Sequence, residues 1–181
     1  MIVRGALAAD AGAVAAIYGH HVLHGLGTFE EAPPSDAESG RRIAAVTERG
    51  LPYLVAEEDR RVVGFAYAAP FRPRAAYRYT VEDSVYIDPG FIGRGVGKAL
   101  VAQVIERCEA LGLRQMVAVI GDSANAGSIG LHRSLGFVDA GVGCAFGFKF
   151  GRWVDVVWMR RTLNDGDGSI PSAPGLDLTG G

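Results

Sequence analysis

Hydrophobic and polar positions along the chain switch between the two periods that mark strands and helices. Ile2 to Ala6 reads as a short strand, and Asp10 as the N-cap of a helix with the apolar stripe Val14, Ile17, Tyr18, Val22 and a stop at Gly25. After Pro33 and Pro34, Ser35 or Asp36 starts a second helix that includes Ile43 and Val46 and ends near Gly50. Tyr53 to Glu57 and Val62 to Ala69 are strand-like runs joined by the charged turn Glu58-Asp59-Arg60-Arg61, which predicts a hairpin. A strand over Thr80 to Asp88 leads into a glycine-rich stretch. The helix after it carries Leu100, Val101, Val104, Ile105, Cys108 and Leu111 on one face and ends at Gly112. Gln115 to Ile120 is short enough for a buried strand, Ser123 or Asn125 caps a helix running through Leu135 to Gly136, and Phe137 to Phe148 and Trp153 to Arg160 supply two last strands. No internal repeat is visible, so the elements predict a three-layer α/β (α+β) domain.

Composition narrows the function classes. With 181 residues, 49% of them hydrophobic, one cored domain over residues 1–163 is expected. From Asn164 the chain becomes Gly- and Pro-rich, and 164–181 reads as a flexible C-terminal tail. A net charge of −2 offers no cationic field for nucleic acid. Arg4 and Asp10 interrupt the N-terminal apolar run, so neither an export signal nor a membrane helix is expected. Cys108 and Cys144 are too few for a disulfide framework and read as buried thiols of a reducing, cytoplasmic compartment. His20 and His24 have metal-compatible spacing beside His21, but without an HExxH motif or a third ligand no metal is expected.

The informative local feature is the turn Gly93-Arg94-Gly95-Val96-Gly97-Lys98 between a strand and an amphipathic helix. Glycines let main-chain amides approach an anion, and a helix N-terminus adds partial positive charge. A P-loop is excluded by Ile92 and Ala99 at its obligatory first and last positions, and a dinucleotide fingerprint by the spacing GxGxG instead of GxGxxG. A coenzyme A diphosphate cradle remains, beside a ligand-free connection.

A second segment, NAGSIGLHRSLGF (Asn125 to Phe137), bears on that choice. With the turn before it, the chain resembles the GNAT superfamily of N-acetyltransferases. The stretches YTVEDSVYID (Tyr79 to Asp88), VAVIGD (Val117 to Asp122) and GFKFGRWVDV (Gly147 to Val156) are similar to its phosphinothricin and methionine sulfone or sulfoximine branch. The resemblance spans about Val3 to Arg161. It departs at Ile92, where the superfamily's turn usually begins with Gln or Arg, and at His132, where many members carry Tyr but this branch uses His.

The resemblance implies a central mixed, mostly antiparallel sheet flanked by helices, acetyl-CoA as co-substrate, a small-molecule amine as acceptor and a homodimer, with Trp153 and Trp158 near the contact or in the core. It implies Glu82 as the catalytic glutamate. An α-ammonium must lose a proton before attack, and a carboxylate of ordinary pKa is a weak base, so an apolar surround is expected around Glu82. His132 is the matching candidate for donating a proton to the departing thiolate; which of the two acts as base stays open. A backbone N–H near Tyr86 is expected to meet the oxyanion, with Val85 and Ile87 pairing with the pantetheine amides. Gly93, Arg94, Gly95, Val96, Gly97 and Lys98 would hold the diphosphate, and Asn125 and Ser128 the arm, although Asn125 is also a good N-cap. Arg72, Arg74 and Tyr77 would clamp an acceptor carboxylate, Phe29 wall its pocket and His20 line it. The expected reaction is direct transfer to the α-amine of a small amino acid. The alternatives are another amine (a polyamine, an aminoglycoside or a protein N-terminus), or an acyl-CoA sensor without turnover.

Overall fold

The computed structural model describes residues 1–178. Within them, β1 (Ile2–Gly5), β2 (Tyr53–Glu58), β3 (Arg61–Pro70), β4 (Thr80–Ile87), β5 (Gln115–Gly121), β6 (Val138–Lys149) and β7 (Arg152–Thr162) form one sheet in the order β1-β2-β3-β4-β5-β7-β6. Neighbours are antiparallel except β4 and β5, which run parallel. Strand alternation sends Tyr53, Val55 and Phe65 to one face, where Val14 and Ile17 of α1 (Ala11–His24) and Ile43 of α2 (Asp36–Thr47) cover them. Leu54, Ala56, Val63 and Val81 go to the other face, against Leu100, Val101, Val104 and Cys108 of α3 (Val96–Ala110), with α4 (Ala126–Ser134) beside it. This is the expected three-layer domain.

Four local expectations are corrected, at Asp10, Leu111, Cys144 and the C-terminal segment. Asp10 does not cap α1 with its side chain; the carboxylate accepts from Leu7 N–H (2.7 Å) and pairs with Arg4 (2.8 Å), tying the chain to the end of β1. Leu111 is exposed, because the helix ends there; Gly112, at φ +75°, turns the chain so that Leu113 enters the core instead. Cys144 is exposed, lying beside Ala145 where β6 bulges and the φ of Ala145 is +56°. Cys108 is buried, which pushes its thiol up to about 12. The C-terminal segment, as far as residue 178, lies against the domain: Tyr79 Oη donates to Ala173 O (2.8 Å), Leu176 N–H to Arg78 O (2.8 Å), and Leu176 packs on the core.

One irregularity of the sheet positions everything that follows. Pairing between β4 and β5 runs from Thr80 opposite Gln115 to Asp83 opposite Ala118 and stops, although β4 continues to Ile87 and β5 to Gly121. A fork opens between two strands that both run on.

Candidate active site

Two hydrogen bonds fix which main-chain groups face the fork. Asp88 N–H donates to Val63 O (2.9 Å) and Phe71 N–H to Thr80 O (3.3 Å), so the even-numbered residues of β4 exchange amide bonds with β3. The N–H and C=O groups of Val85 and Ile87 therefore turn toward the fork, and the Tyr86 amide belongs to β3. The expectation at Tyr86 is corrected to that extent: its N–H is turned to β3 and not to the fork, and its ring packs edge-on against Tyr18 (4.8 Å between centroids). Ile87 O accepts from Nε2–H of His21 (2.8 Å).

The same parity divides the side chains. Glu82 shares the α1 face with Tyr86, whereas Asp83 points to the α3 and α4 face. Glu82 is half-buried, and burial raises its carboxyl above the ordinary range, against the opposing influence of the Arg72 charge. His132, expected to share proton transfer with Glu82, lies on the opposite face and is 2% exposed. Its Nε2 is 3.0 Å from Asp83 Oδ2 and its Nδ1 2.7 Å from Ser128 O. Carboxylate and carbonyl oxygens accept, so this pair of partners favours the doubly protonated imidazolium, with the Ser128 hydroxyl a further 3.4 Å neighbour of Nδ1. Burial opposes that charge, but the hydrogen bond and charge of Asp83 together with the Ser128 carbonyl outweigh it, and the pKa is raised. With both protons committed, His132 is not placed to hand one to a leaving group; this corrects its assignment as general acid. Asp83, which sequence reasoning passed over as a neighbour of Glu82, is the residue that holds it.

At the open end of the fork, Gly93 (φ +77°) and Gly95 (φ +81°) adopt the left-handed conformation, and Gly95 is the N-cap of α3. A Cβ at either would meet nothing within 4 Å, so the cradle is open to solvent above the unsatisfied amides of the first turn. Val96 and Gly97 are buried, Gly97 against Leu131, and Lys98 is exposed. Arg94 stacks on Phe91 (4.5 Å) and pairs with Glu58 (2.6 Å).

The sequence pattern of the acetyltransferase (GNAT) family matches residues 20–137. The chain is 55% identical to a phosphinothricin N-acetyltransferase of Alcaligenes faecalis over 162 residues, covering 90% of this chain and 82% of that protein. The chain belongs to the GNAT family. Identity is 38% to an L-methionine sulfoximine/L-methionine sulfone acetyltransferase of Salmonella typhimurium, over 91% of this chain and 96% of that one. The crystal structure of a GNAT phosphinothricin acetyltransferase from Sinorhizobium meliloti, in complex with acetyl-CoA, superposes with a TM-score of 0.93 at 47% identity, covering 98% of this chain and 96% of that one.

In this GNAT acetyltransferase the remaining expected residues fall into three groups. Asn125 caps α4, its Oδ1 accepting from Ser128 N–H (3.1 Å), which leaves its Nδ2 at a long 3.5 Å from Gly121 O as the half able to reach a ligand. Arg72, Arg74 and Tyr77 lie exposed on the β3–β4 loop; Arg72 stacks on Phe71 (4.4 Å), and neither arginine forms an ion pair among the described residues. Phe29 stands over Gly147 and Gly121, where added Cβ atoms would come within 2.3 and 3.3 Å of its ring. His20 does not reach the site: it is exposed and stacks on His24 (4.8 Å). The helical phase of Val14, Ile17 and Tyr18 brings His21 inward instead. Lys149, on a strand with no local sign of a polar interior, is 2% exposed and its Nζ donates to Gly25 O (2.9 Å) and Thr28 O (2.8 Å).

Proposed function

We propose that this enzyme transfers acetyl from acetyl-CoA directly to the α-amine of a small amino acid bearing an anionic or strongly polar side chain, of the phosphinothricin and methionine sulfoximine type. The observation that carries the reading is the fork itself. It turns the amide N–H groups of Val85 and Ile87 into the opening beside the half-buried Glu82 and ends at the open glycine cradle. An extended thioester arm fits between β4 and β5, its diphosphate over Gly93 to Lys98 and its amides on Val85 and Ile87. Glu82, on the acceptor face, takes the ammonium proton, directly or through one water, and burial makes it a better base for that task. Val85 or Ile87 N–H stabilises the oxygen on which charge develops as the amine adds; the C–S bond then breaks, coenzyme A leaves as its thiolate, and the proton still on the nitrogen passes to that sulfur through solvent. His132 with Asp83 forms a fixed buried ion pair on the side of α3 and α4.

Arg72 and Arg74, free of carboxylate partners among the described residues, favour an acceptor carboxylate over a polyamine, whose positive charges they would repel. Glu82 at the mouth of the fork favours turnover over sensing. No helix of the described residues is long and apolar enough to cross a membrane. The exposed thiol of Cys144 supports a reducing, cytoplasmic location. The exposed outer face of β6 and β7, with Phe146, Phe148 and Trp153 between 58 and 67% exposed, supports a homodimer through that hairpin, and Trp158 is half-buried beside Phe146.

Thiol release from acetyl-CoA, measured with phosphinothricin, methionine sulfoximine, a panel of amino acids and spermidine, tests the reading. Release with the first two and not with spermidine is expected, and Glu82→Gln should lower kcat by about 10²–10³ while coenzyme affinity holds. Release with spermidine alone, or coenzyme binding without release, would overturn it.

A further inference from the structure

The segment between α1 and α2 crosses the far end of the sheet at close quarters. A Cβ at Gly121 would lie 2.0 Å from Leu26 O, and one at Gly147 2.3 Å from the Phe29 ring. Both glycines are buried, and neither has a positive φ, so what they supply is room for the crossing chain. Between these two points sits Lys149, whose ammonium has no carboxylate within ion-pair distance among the described residues. Burying a cation is costly unless its donors are met. Here two of its three N–H groups are met by Gly25 O and Thr28 O, which bracket the crossing. Thr28 is itself buried, its hydroxyl 2.7 Å from Tyr18 Oη, so the lysine fastens a segment already anchored to α1.

An aliphatic residue would fill the same space without the desolvation cost. The lysine adds two directed bonds to a stretch of backbone with no strand or helix partner of its own. Phe29, one residue beyond Thr28, is the residue that the family resemblance assigns to the wall of the acceptor pocket, and this inference rests on that assignment and on the function proposed above. We propose that Lys149 is a positioning residue for the acceptor amine: it clamps the Gly25 to Thr28 segment onto the β6–β7 hairpin and thereby fixes where Phe29 stands. Neither β4 nor the glycine cradle, the expected seat of the coenzyme, is bonded to Lys149. Lys149 therefore governs one substrate and not the other.

Two variants test this with two readouts. Lys149→Met keeps the length of the side chain and removes both bonds; Gly147→Ala leaves the lysine intact and pushes a methyl group into the Phe29 ring. Each is expected to raise KM for phosphinothricin or methionine sulfoximine by about tenfold, with KM for acetyl-CoA within about twofold of wild type. Hydrogen exchange followed by mass spectrometry on the ligand-free protein should show faster exchange in the peptide covering residues 25–30 of Lys149→Met, with the α3 peptides unchanged. Equal rises in both KM values, or unaltered exchange at residues 25–30, would overturn the clamp. If wild-type enzyme acetylates neither compound, the functional reading falls, and the exchange measurement still decides whether the clamp exists. Should Lys149→Met fail to fold, Gly147→Ala carries the kinetic test, and equal or absent KM changes there count against the proposal.

Discussion

Replacing Asp83 by Asn keeps the size of the side chain and removes the charge that holds His132. Both partners are almost completely buried, with side chains 1 and 3% exposed, so solvent does little to screen the pair. Removing one member of a buried ion pair costs about 3–5 kcal/mol, and the lower end applies here because the imidazole sheds its proton and the substituted amide oxygen still accepts one hydrogen bond. The folded-state pKa of His132 lies above its ordinary value. Stability from the pair is thus fully present below the unfolded pKa of about 6.5 and is lost as pH rises through the folded pKa. Asp83→Asn should therefore cost about 3 kcal/mol at pH 6, a cost that shrinks as pH is raised through the folded pKa. For a domain of this size that figure is a drop in Tm of roughly 6–12 °C. Thermal melts of both proteins from about pH 6 upward measure it. A cost that grows as pH rises would refute the assignment of His132 as a buried imidazolium.

Three further outcomes follow from the same geometry. Gly95→Ala places a side chain at φ +81°, where space is open but the backbone is strained, so it should cost about 1–2 kcal/mol and weaken acetyl-CoA binding measured by calorimetry. Undiminished affinity would show that the cradle does not depend on that conformation. Arg72→Met removes the charge that opposes the raised pKa of Glu82. Activity that needs the carboxylate is lost as pH falls through that pKa, so the acid limb of the kcat/KM profile should move to higher pH; a shift to lower pH would exclude Glu82 as the titrating base. Truncation after Asn164 removes the Tyr79–Ala173 bond and the burial of Leu176, so the melting temperature should fall, and an unchanged Tm would show those contacts to be dispensable.

Elements whose signal is local were legible in the sequence. The Asp59-Arg60 hairpin turn takes positive φ at both residues, as a two-residue connection requires, and Ser35 caps α2 by accepting from Glu38 N–H. The glycine cradle was legible for the same reason, since Gly93 and Gly95 are needed for their own backbone angles. The tail misled because composition reports how little surface a segment can bury, and does not report carbonyls placed to meet Tyr79 and Arg114. His20 misled because one step along a helix rotates a side chain by about 100°, enough to exchange an exposed ring for the one bonded to Ile87.

The residues that escaped notice have partners distant in sequence. Asp83 meets His132 across 49 positions and Lys149 meets Gly25 across 124, and neither pairing leaves a local pattern. Parity on β4 explains why the error over His132 took the form it did. Adjacent residues on a strand serve opposite faces, so Glu82 and Asp83, alike in charge and one position apart, cannot act on the same proton. The fork turns this into a division of labour: Val85 and Ile87 present amides in the plane of the sheet, Glu82 meets the amine from the α1 side, and the Asp83–His132 pair stands on the side of α3 and its cradle. Because the two positions serve opposite faces, Asp83 cannot stand in for a lost base, so Glu82→Gln should lose turnover although a carboxylate remains one residue away, and full activity in that variant would refute the division of labour.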